Sequence, residues 1–264
     1  STGYSPNEEI IITVGVSQAL DLSLRTIVDP GDEVIIVEPC YVSYASNIKL
    51  VYGVPVPVAT RDENGFQVDP DDIRKAVTKK TKAILLNYPA NPTGATLSEA
   101  VLRDIAKIAE EHDLIVISDE LYSQIVYDEP HFSIVQVPGM KERTIYLNGF
   151  SKSHAMTGWR LGYVCGPKQI IGPMLKIHQY TALCAPSMAQ YAALEALENG
   201  EPEVQKMLDE YARRRNFVSN RFAAMGIPCR KPKGTFYVFP DIRPTKLSSE
   251  VFAMKKKKKN RVAV

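Results

Sequence analysis

The sequence predicts an α/β fold: a mostly parallel central sheet sandwiched by helices, followed by part of a small α+β C-terminal unit. Three observations carry this. Short apolar runs alternate with amphipathic stretches as far as Cys165. Those runs are apolar throughout rather than alternating, as strands covered on both faces are. Beyond Pro167 the chain turns largely helical, until a new strand signal arises near its end.

Residues 10–14 (Ile-Ile-Ile-Thr-Val) read as a buried strand, and 17–27 as a helix with apolar Ala19, Leu20, Leu22, Leu24 and Ile27. Asp29-Pro30-Gly31-Asp32 is a turn. Residues 34–37 are the next strand and 41–50 a helix. Alternating prolines make 54–58 an edge strand at best. Asp69-Pro70 opens a short helix with proline in its first turn. Strands follow at 83–87, 114–117, 144–147 and 161–165, and a helix at 98–112 has Ser98 as its N-cap. Helices are expected over 170–180, 187–198 and 201–225, then a strand over 235–239. These readings place a large domain at 1–225 and the incomplete beginning of a small C-terminal domain at 226–264.

Composition narrows the function. The 264 residues are 45% hydrophobic and 23% charged, with a formal net charge of +2. Near-neutral charge argues against a nucleic-acid surface and favours small-molecule partners. Cys40, Cys165, Cys184 and Cys229 form no C-x-x-C pair. Four buried thiols in a reducing cytoplasm are expected, with no metal site. No run is long enough for a membrane span and no signal peptide is visible, so no membrane partner is expected. The chain opens in mid-loop without Met and stops in an apolar run over 261–264 without a turn or cap, which reads as truncation at both ends. Lys255 to Lys259 reads as a solvated face, with a tag or an engineered change as the alternative.

In mostly parallel sheets, ligands bind beyond the carboxyl ends of the strands. The first such end, Gly15-Val16-Ser17, opens a helix whose free N–H groups suit an anion, although many strand-to-helix turns look alike. The second brings Tyr41, either a ring platform or an ordinary aromatic. The third, Asn87-Tyr88-Pro89-Ala90-Asn91-Pro92-Thr93-Gly94, is a rigid loop that fixes Asn91 as an amide donor, or simply a turn. The fourth ends in Ser118-Asp119-Glu120-Leu121-Tyr122. A carboxylate directly after buried aliphatics needs a partner, such as a protonated pyridine, or serves as a cap. The fifth leads to Ser151-Lys152 and, eight positions on, Arg160. A lysine amine forms Schiff bases with carbonyls, and an arginine fork holds phosphate. Phosphate donors, a ring platform, a donor for a phenolic oxygen, an anion for a ring nitrogen and an amine for an aldehyde are what pyridoxal phosphate requires.

These motifs resemble the class I (aspartate/aromatic type) pyridoxal phosphate-dependent aminotransferases. The resemblance runs through Gly15-Val16-Ser17-Gln18-Ala19-Leu20, Asn91-Pro92-Thr93-Gly94, Ser118 to Tyr122, and Ser151-Lys152 through Thr157-Gly158-Trp159-Arg160-Leu161-Gly162. It implies an aspartate aminotransferase-like fold and an enzyme moving an amino group from an L-amino acid to a 2-oxo acid. Lys152, Asp119 and Tyr122 would be catalytic. Lys152 would carry the cofactor as a Schiff base and shuttle the substrate proton, and Asp119 would keep the pyridine protonated. Asn91 and Tyr122 would bond the phenolic oxygen and hold the Schiff-base pKa down. Tyr41 would stack, and Arg160, Gly15, Val16, Ser17 and Ser151 would hold the phosphate. His154, Met156 and Trp159 would pack the loop. The resemblance further implies a cytoplasmic homodimer of amino acid metabolism and biosynthesis, with the substrate-carboxylate arginine beyond Val264. Two other readings remain: a C–S lyase on the same scaffold, separable by pyruvate and ammonia release, and a sensing domain of a transcription regulator, separable by a helix-turn-helix upstream.

Overall fold

The computed structural model describes residues 3–260; the apolar run expected over 261–264 lies outside them. Strands are β1 (Ile10–Thr13), β2 (Glu33–Glu38), β3 (Val54–Ala59), β4 (Thr81–Asn87), β5 (Ile115–Asp119), β6 (Thr144–Gly149) and β7 (Gly162–Cys165). Helices are α1 (Gly15–Ile27), α2 (Ser43–Leu50), α3 (Pro70–Ala76), α4 (Glu99–Glu111), α5 (Lys168–Thr181), α6 (Ser187–Asn199), α7 (Glu201–Ala224) and α8 (Ser249–Asn260). The described residues form a seven-stranded sheet in the order β1-β7-β6-β5-β4-β2-β3. Strands β3, β2, β4, β5 and β6 are mutually parallel, whereas β7 is antiparallel to both β6 and β1.

Continuous apolar runs arise because both faces of the sheet are covered. Side chains alternate along a strand, so Ala83 and Leu85 of β4 join one core with Leu20, Leu24 and Met174 of α1 and α5. Ile84 and Leu86 join another with Ile73, Leu102, Ile105 and Ile108 of α3 and α4. Asp69 caps α3, its side chain accepting from the Asp71 N–H, and Ser98 caps α4 by accepting from Val101. Strand β3, with its two prolines, is the expected edge.

Four expectations need correction. Strand β1 is not buried throughout: it is the other edge, pairs only with β7, and leaves Ile12 38% exposed. Residues 235–239 form no strand. Thr235 has a left-handed backbone (φ +61) and donates its N–H to Ile125 O, so the segment bonds to a loop, with only an isolated bridge between Val126 and Gly234. Of the four free cysteines only Cys165 is buried; Cys184, in the turn between α5 and α6, is exposed. Met156 does pack the loop, against Phe150 and Leu161, but Trp159 is half-exposed. The lysine run lies on the exposed surface of α8.

Candidate active site

The carboxyl ends of β2, β4, β5 and β6, the N-terminus of α1 and the loop after β6 surround one open cavity. Val16, Ser17, Tyr41, Asn91, Asp119, Tyr122, Ser151, Lys152 and Arg160 all line it. Gly15 lies just beneath. Its φ of +73 is a backbone state that favours glycine, and a Cβ there would sit 2.5 Å from Arg160 Nη2. Glycine is therefore what lets the guanidinium lie against the first turn of α1.

That turn is an anion site by construction. Helix α1 has no side-chain cap and no acidic residue in its first turn, so its leading N–H groups and positive end face the cavity. Arg160 adds a fixed cation. Its backbone is left-handed (φ +54), and Nη1 donates to Thr157 O at 2.9 Å, which orients the fork. Thr157, whose hydroxyl donates to Ser151 O at 2.8 Å, joins the cavity wall between Ser151 and Arg160.

At the opposite end lies Asp119, the last residue of β5, with 6% exposure. Tyr44 donates to its Oδ2 at 2.8 Å and the Leu121 N–H to its Oδ1 at 3.2 Å. Both the capping and the cavity-facing readings of Asp119 therefore describe it. Burial pushes its carboxyl up to about 6, against the lowering effect of those two hydrogen bonds. A buried carboxylate with an elevated pKa gains from a cationic neighbour. Tyr44 is itself fully buried, and burial beside Asp119 holds its phenol proton tightly.

Asn91 is set by the loop after β4: its N–H donates to Asn87 Oδ1 at 3.0 Å, and Asn87 Nδ2 donates to Asp119 O at 2.9 Å. The Tyr122 hydroxyl is 2.9 Å from that of Tyr237, to which Asn91 Nδ2 also reaches at 3.4 Å. Tyr41 is 39% exposed, its ring edge-on to Tyr44 at 5.6 Å. Lys152 is half-buried; among the described residues its Nζ makes no hydrogen bond or ion pair. The donor set fits pyridoxal phosphate: an anion cradle at one end, a carboxylate at the other, and an amine with two phenolic-oxygen donors between.

Sequence reasoning missed Tyr44, Thr157 and Tyr237. Tyr44 stands three positions after Tyr41, the spacing of one helix face, which was a usable signal. Tyr237 gave none, because its segment read as a strand of another domain.

A mostly parallel sheet bearing a lysine, a buried carboxylate and an uncapped helix end beside an arginine at its strand ends fits one class of protein: a pyridoxal phosphate enzyme of the aspartate aminotransferase fold. Residues 2–262 match the family model "aminotransferase class I and II". A putative aminotransferase, YugH, of Bacillus subtilis is 51% identical over 99% of this chain and 68% of its own length. An aspartate aminotransferase of Pyrococcus abyssi is 49% identical over 94% of this chain and 64% of its own. The crystal structure of an aromatic aminotransferase from Pyrococcus horikoshii superimposes with a TM-score of 0.96 at 46% identity, covering 99% of this chain and 71% of that one. The chain belongs to the class I and II aminotransferase family, and spans about two thirds of the length of the curated relatives it matches.

Proposed function

We propose that this protein is an aminotransferase that moves an amino group from an L-amino acid to a 2-oxo acid with pyridoxal phosphate held on Lys152. The observation that carries the reading is the convergence of Lys152, Asp119, Asn91, Tyr122 and Arg160 on one cavity. When bound, the cofactor supplies an aldehyde that exchanges amines and a ring that takes up electron density. Lys152 would hold the aldehyde, and its amine is the group placed to move the proton at a substrate α-carbon. Asp119 would hold the proton of the ring nitrogen, a cation that its buried carboxylate would gain from. Tyr122 and Asn91 would donate to the phenolic oxygen, and Tyr41 would cover the ring. Arg160, Ser151 and the N–H groups of Val16 and Ser17 over Gly15 would hold the phosphate.

Replacing Lys152→Ala tests this. The visible band of lysine-bound cofactor and the transfer to 2-oxo acids should both vanish; a mutant that keeps the wild-type spectrum overturns the assignment. We also propose the division at 1–225 and 226–264, and a cytoplasmic homodimer acting in amino acid metabolism. Exposed Tyr180, Leu183, Met188 and Tyr191 on and between α5 and α6 support a second copy covering that face. A monomer in sedimentation equilibrium would count against it.

A further inference from the structure

Tyr237 brings a third hydrogen-bonding group to the pair formed by Asn91 and Tyr122. An amide nitrogen only donates, while a hydroxyl offers one donor and two acceptor sites. The two hydroxyls lie 2.9 Å apart and either can donate. Once Tyr122 gives its proton to a phenolic oxygen in the cavity, its own oxygen accepts from Tyr237, which in turn accepts from Asn91 Nδ2 at 3.4 Å. Hydrogen bonds in such a chain polarise one another, so the last donor is stronger than an isolated phenol.

The segment that delivers Tyr237 is fastened to the large domain at several points. The N–H groups of Lys233 and Gly234 both donate to Gly94 O at 3.0 Å, and that of Thr235 to Ile125 O at 2.8 Å. The Tyr127 hydroxyl donates to Thr235 O. From α7, buried Arg215 donates to Pro232 O at 3.1 Å and to both oxygens of Asp128, and lies over the Tyr127 ring at 4.2 Å. At Gly94 (φ +69) a Cβ would fall 2.3 Å from Pro232 Cβ, so only glycine allows the segment to settle there. Thr235 is completely buried, and the Tyr237 ring sits edge-on to Tyr122 at 5.8 Å. This fastening places the Tyr237 hydroxyl in the cavity wall.

We propose that Tyr237 is a positioning residue for Tyr122: held by the fastened segment 232–237, its hydroxyl orders and polarises the donor that meets the cofactor's phenolic oxygen. This rests on the role given to Tyr122 above. The test is a double-mutant cycle on the cofactor-loaded protein with Tyr237→Phe, Tyr122→Phe and both together. Phe keeps the ring packing and removes only the hydroxyl. The readouts are the pH midpoint of the visible band of lysine-bound cofactor, and the thermal midpoint of each variant.

Weakening the Tyr122 donor favours the protonated form of the chromophore, so Tyr237→Phe should move the midpoint upward by up to about one pH unit. Tyr122→Phe should move it the same way, and in that background Tyr237→Phe should add nothing further. An unchanged midpoint in Tyr237→Phe overturns the proposal. So does a shift of equal size in both backgrounds, which is what general loosening, visible as a lowered thermal midpoint, would produce. A wild-type protein that shows no such band refutes the cofactor reading itself, and this proposal with it.

Discussion

Replacing Asp119→Asn should stabilise the cofactor-free protein at neutral pH while destroying its grip on the cofactor. The folded carboxyl holds its proton up to about pH 6, against 3.8 for the free side chain. Between those values the folded state binds more protons than the unfolded one, so stability falls as pH rises through the window. Above pH 6 the whole cost is present. About two pKa units at ~1.4 kcal/mol each amount to about 3 kcal/mol, with no discount for solvent because the group is buried. Asparagine removes the charge and keeps the geometry. Its Oδ1 accepts from the Leu121 N–H as now, while its amide faces the Tyr44 oxygen and the buried Tyr44 proton loses the acceptor it has at 2.8 Å, which holds the gain below the full value of about 3 kcal/mol. Urea unfolding of the cofactor-free protein at pH 4 and pH 7.5 gives the check. Wild type and variant should be close at pH 4, with the variant ahead by up to about 3 kcal/mol at pH 7.5. A variant less stable than wild type at pH 7.5, or a difference that does not change with pH, refutes the reasoning. Cofactor affinity should move the opposite way, since the cationic ring nitrogen loses its partner.

Two further outcomes follow from the site. Gly15→Ala places a methyl 2.5 Å from Arg160 Nη2 in a left-handed backbone. It should destabilise by roughly 1–3 kcal/mol, and in an equilibrium titration weaken cofactor binding at least tenfold by displacing the arginine; unchanged affinity would contradict the cradle described for α1. Tyr44→Phe leaves Asp119 with only the Leu121 N–H, so its pKa should rise further above 6, and the pH at which cofactor-free stability levels off should climb with it; a plateau at the wild-type pH would show that the Tyr44 bond at 2.8 Å carries no such weight.

Much of the fold was legible because its signals are local. Apolar runs in β2, β4, β5 and β6 mark strands whatever lies beside them, and Asp69 and Ser98 announce α3 and α4 through caps made within three residues. The gathering of candidate residues at one cavity was legible too, since most of them stand at or just after the end of a strand, where an α/β sheet presents its ligands. The 235–239 segment failed for the opposite reason. Thr-Phe-Tyr-Val-Phe is strand-like by composition, yet Thr235 gives its N–H to Ile125 O and its C=O accepts from the Tyr127 hydroxyl, while the Lys233 and Gly234 N–H groups just before it go to Gly94 O. Propensity yields to such tertiary bonding. The full burial expected of β1 failed similarly, because an all-apolar run does not reveal that its strand sits at an edge.

By itself, the sequence determined which segments become strands and helices, and the order in which an anion site, an amide, a carboxylate, an amine and a guanidinium arrive at one edge. Periodicity, caps and turn residues set these over a few positions. Only the tertiary structure decided that Tyr44 holds Asp119 across 75 residues, that Tyr237 meets Tyr122 across 115, and that Gly15 must lack a side chain because Arg160 lies on it. Those pairings depend on where the packed sheet brings distant segments together, and no local pattern in the chain records the distance between two side chains that far apart.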